Sequence, residues 1–177
     1  MELARYESSQ AAEVQALFVE TFAEAEGQEE GNLVGGLVQE LLRDADPCDV
    51  QGFVAMEQGR VVAGIVFSRL RFESPAEAFL LSPVAVHPAH QGRGIGQRLI
   101  RFGLDSLKAQ GATHAFTYGD PAFYSRVGFV PVSETMAAAP FRLSQPEGWL
   151  GQGLGGEMVP LAGVPRCVAA FDDPAYW

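Results

Sequence analysis

Residues 84–96 read Val-Ala-Val-His-Pro-Ala-His-Gln-Gly-Arg-Gly-Ile-Gly, and this stretch constrains the chain more than any other. An apolar run, Val84-Ala85-Val86, ends at a proline turn. Glycines at 92, 94 and 96 follow, then a helical pattern over 92–110 with Ile95, Leu99, Ile100, Phe102, Gly103 and Leu107 inward. A strand feeding a helix through such a loop implies an α/β fold class. The junction also has a chemical consequence. The first turn of a helix carries N–H groups without intrahelical partners, and the helix dipole adds partial positive charge there. Glycines remove the side chains that would hold a ligand off the backbone. Gln91, Gly92, Arg93, Gly94, Ile95, Gly96 and Gln97 are therefore a candidate phosphate-binding loop. The plain alternative is a glycine turn that serves helix–strand packing alone.

The rest of the chain supplies the elements of a mixed sheet. A short strand is expected at 2–7. A helix follows over 11–25, with Val14, Leu17, Phe18 and Phe22 on one face. Residues 26–31 should break it before a second helix at 33–42, which Asp46-Pro47 ends. Two β-rich runs, 52–56 and 60–72, flank Glu57-Gln58-Gly59, a hairpin signal with glycine at the position needing positive φ. The run 78–86 is nearly continuous in apolar residues, as a central strand would be. Further strands are expected at 113–118 and 129–132, with a short helix at 121–126 between them. Residues 137–156 are rich in Gly, Pro and Ala, and 157–161 is the expected last strand. The expectation is one domain over 1–177, with a core of about 1–135 and a C-terminal extension from 137.

Charge narrows the partners. The net charge of −10 resides in residues 1–50, which hold twelve acids and two bases; ten acids and ten bases cancel over 51–177. Nucleic-acid binding needs the opposite sign over a wide surface, so none is expected. Residues 87–110 nevertheless hold Arg93, Arg98, Arg101 and Lys108 against Asp105 alone, a patch suited to a small anion or simply a solvated helix face. Cys48 and Cys167 form no disulfide framework, and no zinc spacing links the cysteines to His87, His90 and His114. No metal is expected. No run of apolar residues is long enough to span a membrane, and MELARYESSQ does not read as a targeting peptide. The expected location is the cytoplasm.

Other phosphate motifs fail. A P-loop needs a lysine after its last glycine, and the sole lysine is Lys108. The dinucleotide pattern G-x-G-x-x-G counted from Gly92 falls on Gln97. A textual match, GQGLGG at 151–156, follows no convincing strand and reads as a flexible loop. Gln91-Gly92-Arg93-Gly94-Ile95-Gly96 instead resembles the Q/R-x-x-G-x-G/A signature of the GNAT N-acetyltransferase superfamily. Tyr124-Ser125-Arg126-Val127-Gly128-Phe129 resembles that family's Y-x-x-x-G-F element. The longer run from Gly119 to Phe129 is similar to the small bacterial YhbS-type branch. The resemblance covers about residues 1–135. It implies a mixed, mostly antiparallel central sheet flanked by helices, with acetyl-CoA as cosubstrate. The loop amides would grip the pyrophosphate, and Val84, Ala85 and Val86 would bond the pantetheine arm.

Acetyl transfer to an amine needs a neutral nucleophile, donors for the oxyanion and a proton for the leaving thiolate. The resemblance gives the last role to Tyr124, whose ordinary pKa near 10 keeps it protonated. Packing beside Phe123 and Phe129 is the competing role. A backbone N–H near Val86 would meet the oxyanion. Better-known members carry a glutamate within the strand that matches 78–86, and none stands here. Glu77, Glu30, Ser82, His87 and a bound water remain candidate bases. Asp120 before Pro121 is a helix start, and His87 and His90 are turn residues. Cys48 has no motif-linked base and is no expected nucleophile. The acceptor would be a small-molecule or peptide amine. In the resemblance, the two N-terminal helices border the acceptor side, so their acids, Glu24, Glu26, Glu29 and Glu30 foremost, would favour a cation. Two rivals stand beside this reading: a non-catalytic acyl-CoA-binding or sensor domain, and a structural protein whose loop is only a turn. Oligomeric state is open, a homodimer among the options.

Overall fold

The computed structural model describes residues Met1–Trp177. Seven strands and four α-helices follow in the order β1 (Glu2–Arg5), α1 (Ala11–Glu26), α2 (Gln28–Asp44), β2 (Val50–Glu57), β3 (Arg60–Leu70), β4 (Ala78–Val86), α3 (Ile95–Ala109), β5 (His114–Tyr118), α4 (Pro121–Tyr124), β6 (Val130–Pro131) and β7 (Trp149–Gly153). The sheet order is β1-β2-β3-β4-β5-β7-β6. β4 and β5 run parallel, while β1–β2, β5–β7 and β6–β7 are antiparallel. This is the mixed, mostly antiparallel α/β sheet expected, and the apolar run at β4 is its central strand. The chain gathers into two compact units, Met1–Phe67 with Pro83–Gly103, and Ser68–Ser82 with Leu104–Trp177.

In the first unit, Val14, Leu17 and Phe18 of α1 and Val34 and Val38 of α2 bury their apolar stripe against Val54, Val61 and Ala85. Phe53, on the other parity of β2, meets Phe67 and Phe102 edge-on at 6.0 and 5.9 Å. Helices thus cover both faces, each through a stripe its sequence marks. The expected break at 26–31 shrinks to Gly27, because Gln28, Glu29 and Glu30 already belong to α2. Polar residues of this kind are good helix formers, and two acids in the first turn suit the dipole. The β2–β3 connection is also tighter than expected. Gln58 (φ 51°) and Gly59 (φ 76°) both take positive φ, the two-residue geometry whose twist matches the flanking strands.

The second unit is built on aromatic stacking. Phe116 of β5 lies parallel to Trp149 at 5.2 Å. The Trp149 indole N–H donates to the Ala137 carbonyl, and that of Trp177 to Phe171. The last strand is β7, not 157–161, so the first half of GQGLGG is sheet rather than loop. Gly151 lies against Phe116, where an added Cβ would come within 2.8 Å of the ring; the glycine permits that approach.

His114 opens β5 and is 5% exposed. Its Nδ1 lies 2.9 Å from Thr113 Oγ1, and its Nε2 is buried without a partner. Burial pushes its pKa below 6.5. The unfolded chain therefore binds a proton that the fold refuses. Stability should be full above pH 6.5 and fall as pH drops below it, by at most about 1.4 kcal/mol per unit for this one group. Urea unfolding from pH 7.5 to 5.5 should show that slope, and His114→Phe should flatten it. Parallel profiles for the two proteins would refute the assignment.

Candidate functional site

The glycine loop belongs to the first unit. Ala85 turns into the core under α1, which leaves Val84 and Val86 on the opposite face of β4. After β4 the His87 N–H donates to the Val62 carbonyl, and His87 Nδ1 accepts from the Ala89 N–H. A single 3-10 turn, Pro88–His90, follows. The Gln91 side-chain amide reaches back to donate to the Val86 carbonyl at 2.9 Å. Gly92 and Gly94 adopt φ of +74° and +72°, and a Cβ on either would meet nothing within 4 Å. The Arg98 N–H bonds the Gly94 carbonyl at 3.1 Å, so Ile95, Gly96 and Gln97 are the first turn of α3 and their amides have no intrahelical acceptor. The helix starts three residues later than the pattern suggested, because left-handed glycines cannot continue a helix. The result is a bare, concave backbone at a helix N-terminus, a geometry that fits a phosphate.

The expected cationic patch is altered. The Arg93 guanidinium is bidentate to Glu57, with Nη2 to Oε1 at 2.9 Å and Nη1 to Oε2 at 3.2 Å, and His90 Nδ1 lies 3.0 Å from Nη1. The arginine holds the Glu57 carboxyl below its usual range. Arg98 Nη2 approaches the Arg93 carbonyl at 3.4 Å. The loop offers backbone dipoles more than free charge.

Tyr124 belongs to the second unit. The Asp120 carboxylate accepts from the Ala122 N–H at 2.8 Å and caps α4, with Pro121 in the first turn. Gly128, at φ 93°, ends the 3-10 turn that follows. This short element fixes the Tyr124 ring between Phe123 (5.0 Å) and Phe129 (5.9 Å), both edge-on. Gly119 lies beneath it, where a Cβ would sit 2.8 Å from the ring. Burial raises the Tyr124 pKa above 10.0; a hydrogen bond with Thr117 opposes this, and the charge of Asp120 adds to it. The group is a neutral phenol across the physiological range. Thr117 is fully buried, and its Oγ1 lies 2.9 Å from the Leu81 carbonyl it donates to. Sequence reasoning missed Thr117 and Glu57. A lone threonine in an apolar strand is a faint signal, and a hairpin-tip glutamate is none.

The candidate bases stand on different elements and loops, each with surroundings of its own. Glu77 is paired with Arg69, whose guanidinium covers the Phe79 ring at 4.7 Å. Glu30 sits in the first turn of α2, and Ser82 is half-buried in β4. His87 is held by its turn and stands 3.5 Å from Glu20. Cys48 is exposed, its N–H bonded to Asp46. No three His, Cys, Asp or Glu side chains are placed to hold a metal, and no helix is long and apolar enough to cross a membrane. A cleft of about 390 Å³ in the first unit is lined by Glu13, Glu20, Glu57, Arg60, His87 and His90 among others.

Residues 49–131 match the acetyltransferase (GNAT) domain family. The chain is 32% identical over 137 residues to the uncharacterized N-acetyltransferase YjhQ of Escherichia coli strain K12, covering 74% of this chain and 76% of that protein. Among solved structures, a GNAT family acetyltransferase from Brucella melitensis in complex with acetyl-CoA is 30% identical with a TM-score of 0.69, covering 97% of each chain. The E. coli GNAT family N-acetyltransferase YhbS in complex with CoA is similar in fold, with a TM-score of 0.80 at 24% identity over 97% of this chain and 92% of that one.

Proposed function

From the premise that this chain belongs to the GNAT acetyltransferase family, we propose that residues 1–177 act as one domain that moves the acetyl group of acetyl-CoA to a primary amine by direct attack. The chain is an acetyl-CoA-dependent N-acetyltransferase. The observation that carries the finer reading is the bare backbone at Gly92 and Gly94. In this reading the amides of residues 92–97 hold the pyrophosphate, while the Gln91 N–H, expected among them, donates to the Pro88 carbonyl instead, and Val84, Ala85 and Val86 bond the pantetheine arm. The neutral amine forms a C–N bond to the thioester carbonyl, and a backbone N–H near the end of β4 meets the oxyanion. The C–S bond then breaks, and Tyr124 gives its proton to the departing sulfur. The His87 amide is bonded to Val62, so the oxyanion donor falls to a neighbouring residue. The proton leaving the amine passes through water to solvent.

The acceptor is a cationic amine. Glu29 and Glu30 have a local reason to stand where they do, since α2 starts there. Glu24 and Glu26 do not. They occupy the last turn of α1, which has no base, and carboxylates there oppose the helix dipole by roughly 0.3–1 kcal/mol each. An exposed negative wall kept at that cost supports attraction of cations. The test is release of thiol from acetyl-CoA against cationic, neutral and anionic amines. Cationic acceptors should give the highest kcat/KM, and it should fall with salt as the screening length drops from about 10 Å at 0.1 M to 3 Å at 1 M. Glu24→Gln with Glu26→Gln should reproduce more of that fall than Glu29→Gln with Glu30→Gln. A well-used anionic or neutral amine, indifferent to salt and to both pairs of changes, would remove the acidic wall from substrate choice.

A further inference from the structure

Arg93 is the only side-chain-bearing residue between two glycines of positive φ. Glycines make such a loop permissive, and permissiveness has an entropic cost when a fixed shape is needed. A cradle of backbone amides binds well only when those amides already point the same way. Anchoring the residue between the glycines fixes the dihedrals on either side of it.

The anchor is visible. Glu57 lies at the end of β2, beside the hairpin turn, and its side chain is 21% exposed against 50% for Arg93. Both carboxylate oxygens accept from the guanidinium, and Glu57 Oε2 also lies 3.3 Å from His90 Nδ1. Two further polar side chains of the segment are also held by partners in the protein. Gln91 bonds the Val86 carbonyl, and His87 faces Glu20. The space over Gly92 and Gly94 stays clear.

We infer that Glu57 is a positioning residue for the cosubstrate: by gripping the Arg93 guanidinium it holds Gly92–Gly94 in the anion-cradling shape. The inference rests on the reading that the loop binds the pyrophosphate. It inverts the obvious role of Arg93, which becomes a strut whose charge is spent on Glu57 rather than on phosphate.

The two roles differ in sign. If Arg93 met the phosphate directly, releasing it from Glu57 would leave binding unchanged or strengthen it. If Arg93 is a strut, releasing it lowers the fraction of loop in the competent shape and weakens binding by that fraction. Calorimetry with acetyl-CoA and with S-acetylpantetheine, which lacks the pyrophosphate, reads the difference in folded variants. Glu57→Ala and Arg93→Met should each reduce the preference for acetyl-CoA over S-acetylpantetheine by about fivefold, the reach of a partly exposed ion pair. Glu57→Gln, which keeps one acceptor geometry, should lose less. The double variant should lose no more than either single, because the two act as one unit. Amide exchange at Arg98, whose N–H is held by the Gly94 carbonyl, should quicken in all of them. A preference kept or raised in Glu57→Ala while Arg93→Met loses it would overturn the strut and make Arg93 a direct phosphate ligand. A preference kept in both, while Gly94→Val abolishes it, would overturn the strut alone. A parent protein with no preference at all would overturn the loop reading and the strut with it.

Discussion

Replacing Tyr124 by phenylalanine should lower kcat by about 10²–10⁴, the usual loss when a general acid is removed, or about 2.7–5.4 kcal/mol of barrier. The structure makes this a clean substitution. The ring keeps its edge-on neighbours Phe123 and Phe129 and its place over Gly119. Thr117 keeps its bond to the Leu81 carbonyl, so no buried hydroxyl is orphaned. Thermal stability and acetyl-CoA affinity should therefore change little. The pH profile adds a second reading. Burial raises the phenol above 10.0, so Tyr124 causes no alkaline fall in activity below that pH in the parent. The sharpest test varies the leaving group. A thioester of a more acidic thiol needs less protonation as its C–S bond breaks. Such a donor should recover most of the rate in Tyr124→Phe and gain little in the parent. A variant within twofold of the parent on acetyl-CoA across pH would make Tyr124 a packing residue only.

The shape of the turn that carries Tyr124 and the shape of the glycine loop are legible in the sequence for the same reason: both are local. A strand, a proline turn, spaced glycines and a helix are consecutive, and Asp120, Pro121, Tyr124 and Gly128 fall within nine positions of one another. Their conformations follow from short-range sterics, so residue order is enough to place them. The hidden features depend on pairing across distance. Arg93 and Glu57 are 36 positions apart, and the sequence shows one as a cation near a loop and the other as part of a turn. Thr117 gains its meaning only when α4 folds back to set a phenol beside it. Trp149–Gly153 is a strand because β5 and β6 pair with it on either side and because Gly151 tolerates the Phe116 ring. Glycines at 151 and 153 read locally as loop. The break between α1 and α2 is narrower than the sequence suggests, because Gln and Glu hold a helix well. Only Gly27 leaves it.

Gly94→Val should abolish detectable acetyl-CoA binding, a loss of at least about 10²-fold or 2.7 kcal/mol. Two effects act together. A Cβ on Gly94 meets no protein atom within 4 Å, so the added methyl groups project into the open side of the loop, the space the pyrophosphate takes in the proposed site. The residue also sits at φ +72°, where a β-branched side chain is strained by roughly 1–2 kcal/mol. Strain alone could move the loop, so the two must be separated. Gly94→Ala adds a single carbon and most of the strain; it should bind acetyl-CoA measurably but weakly. Gly111→Val supplies the strain without the site, since Gly111 has φ +95° and equally open space after α3. Its unfolding midpoint should fall about as far as that of Gly94→Val, while its affinity for acetyl-CoA stays near the parent's. A folded Gly94→Val protein that binds acetyl-CoA as the parent does would place the pyrophosphate elsewhere. The glycines would then serve only the packing of α3 against its strand.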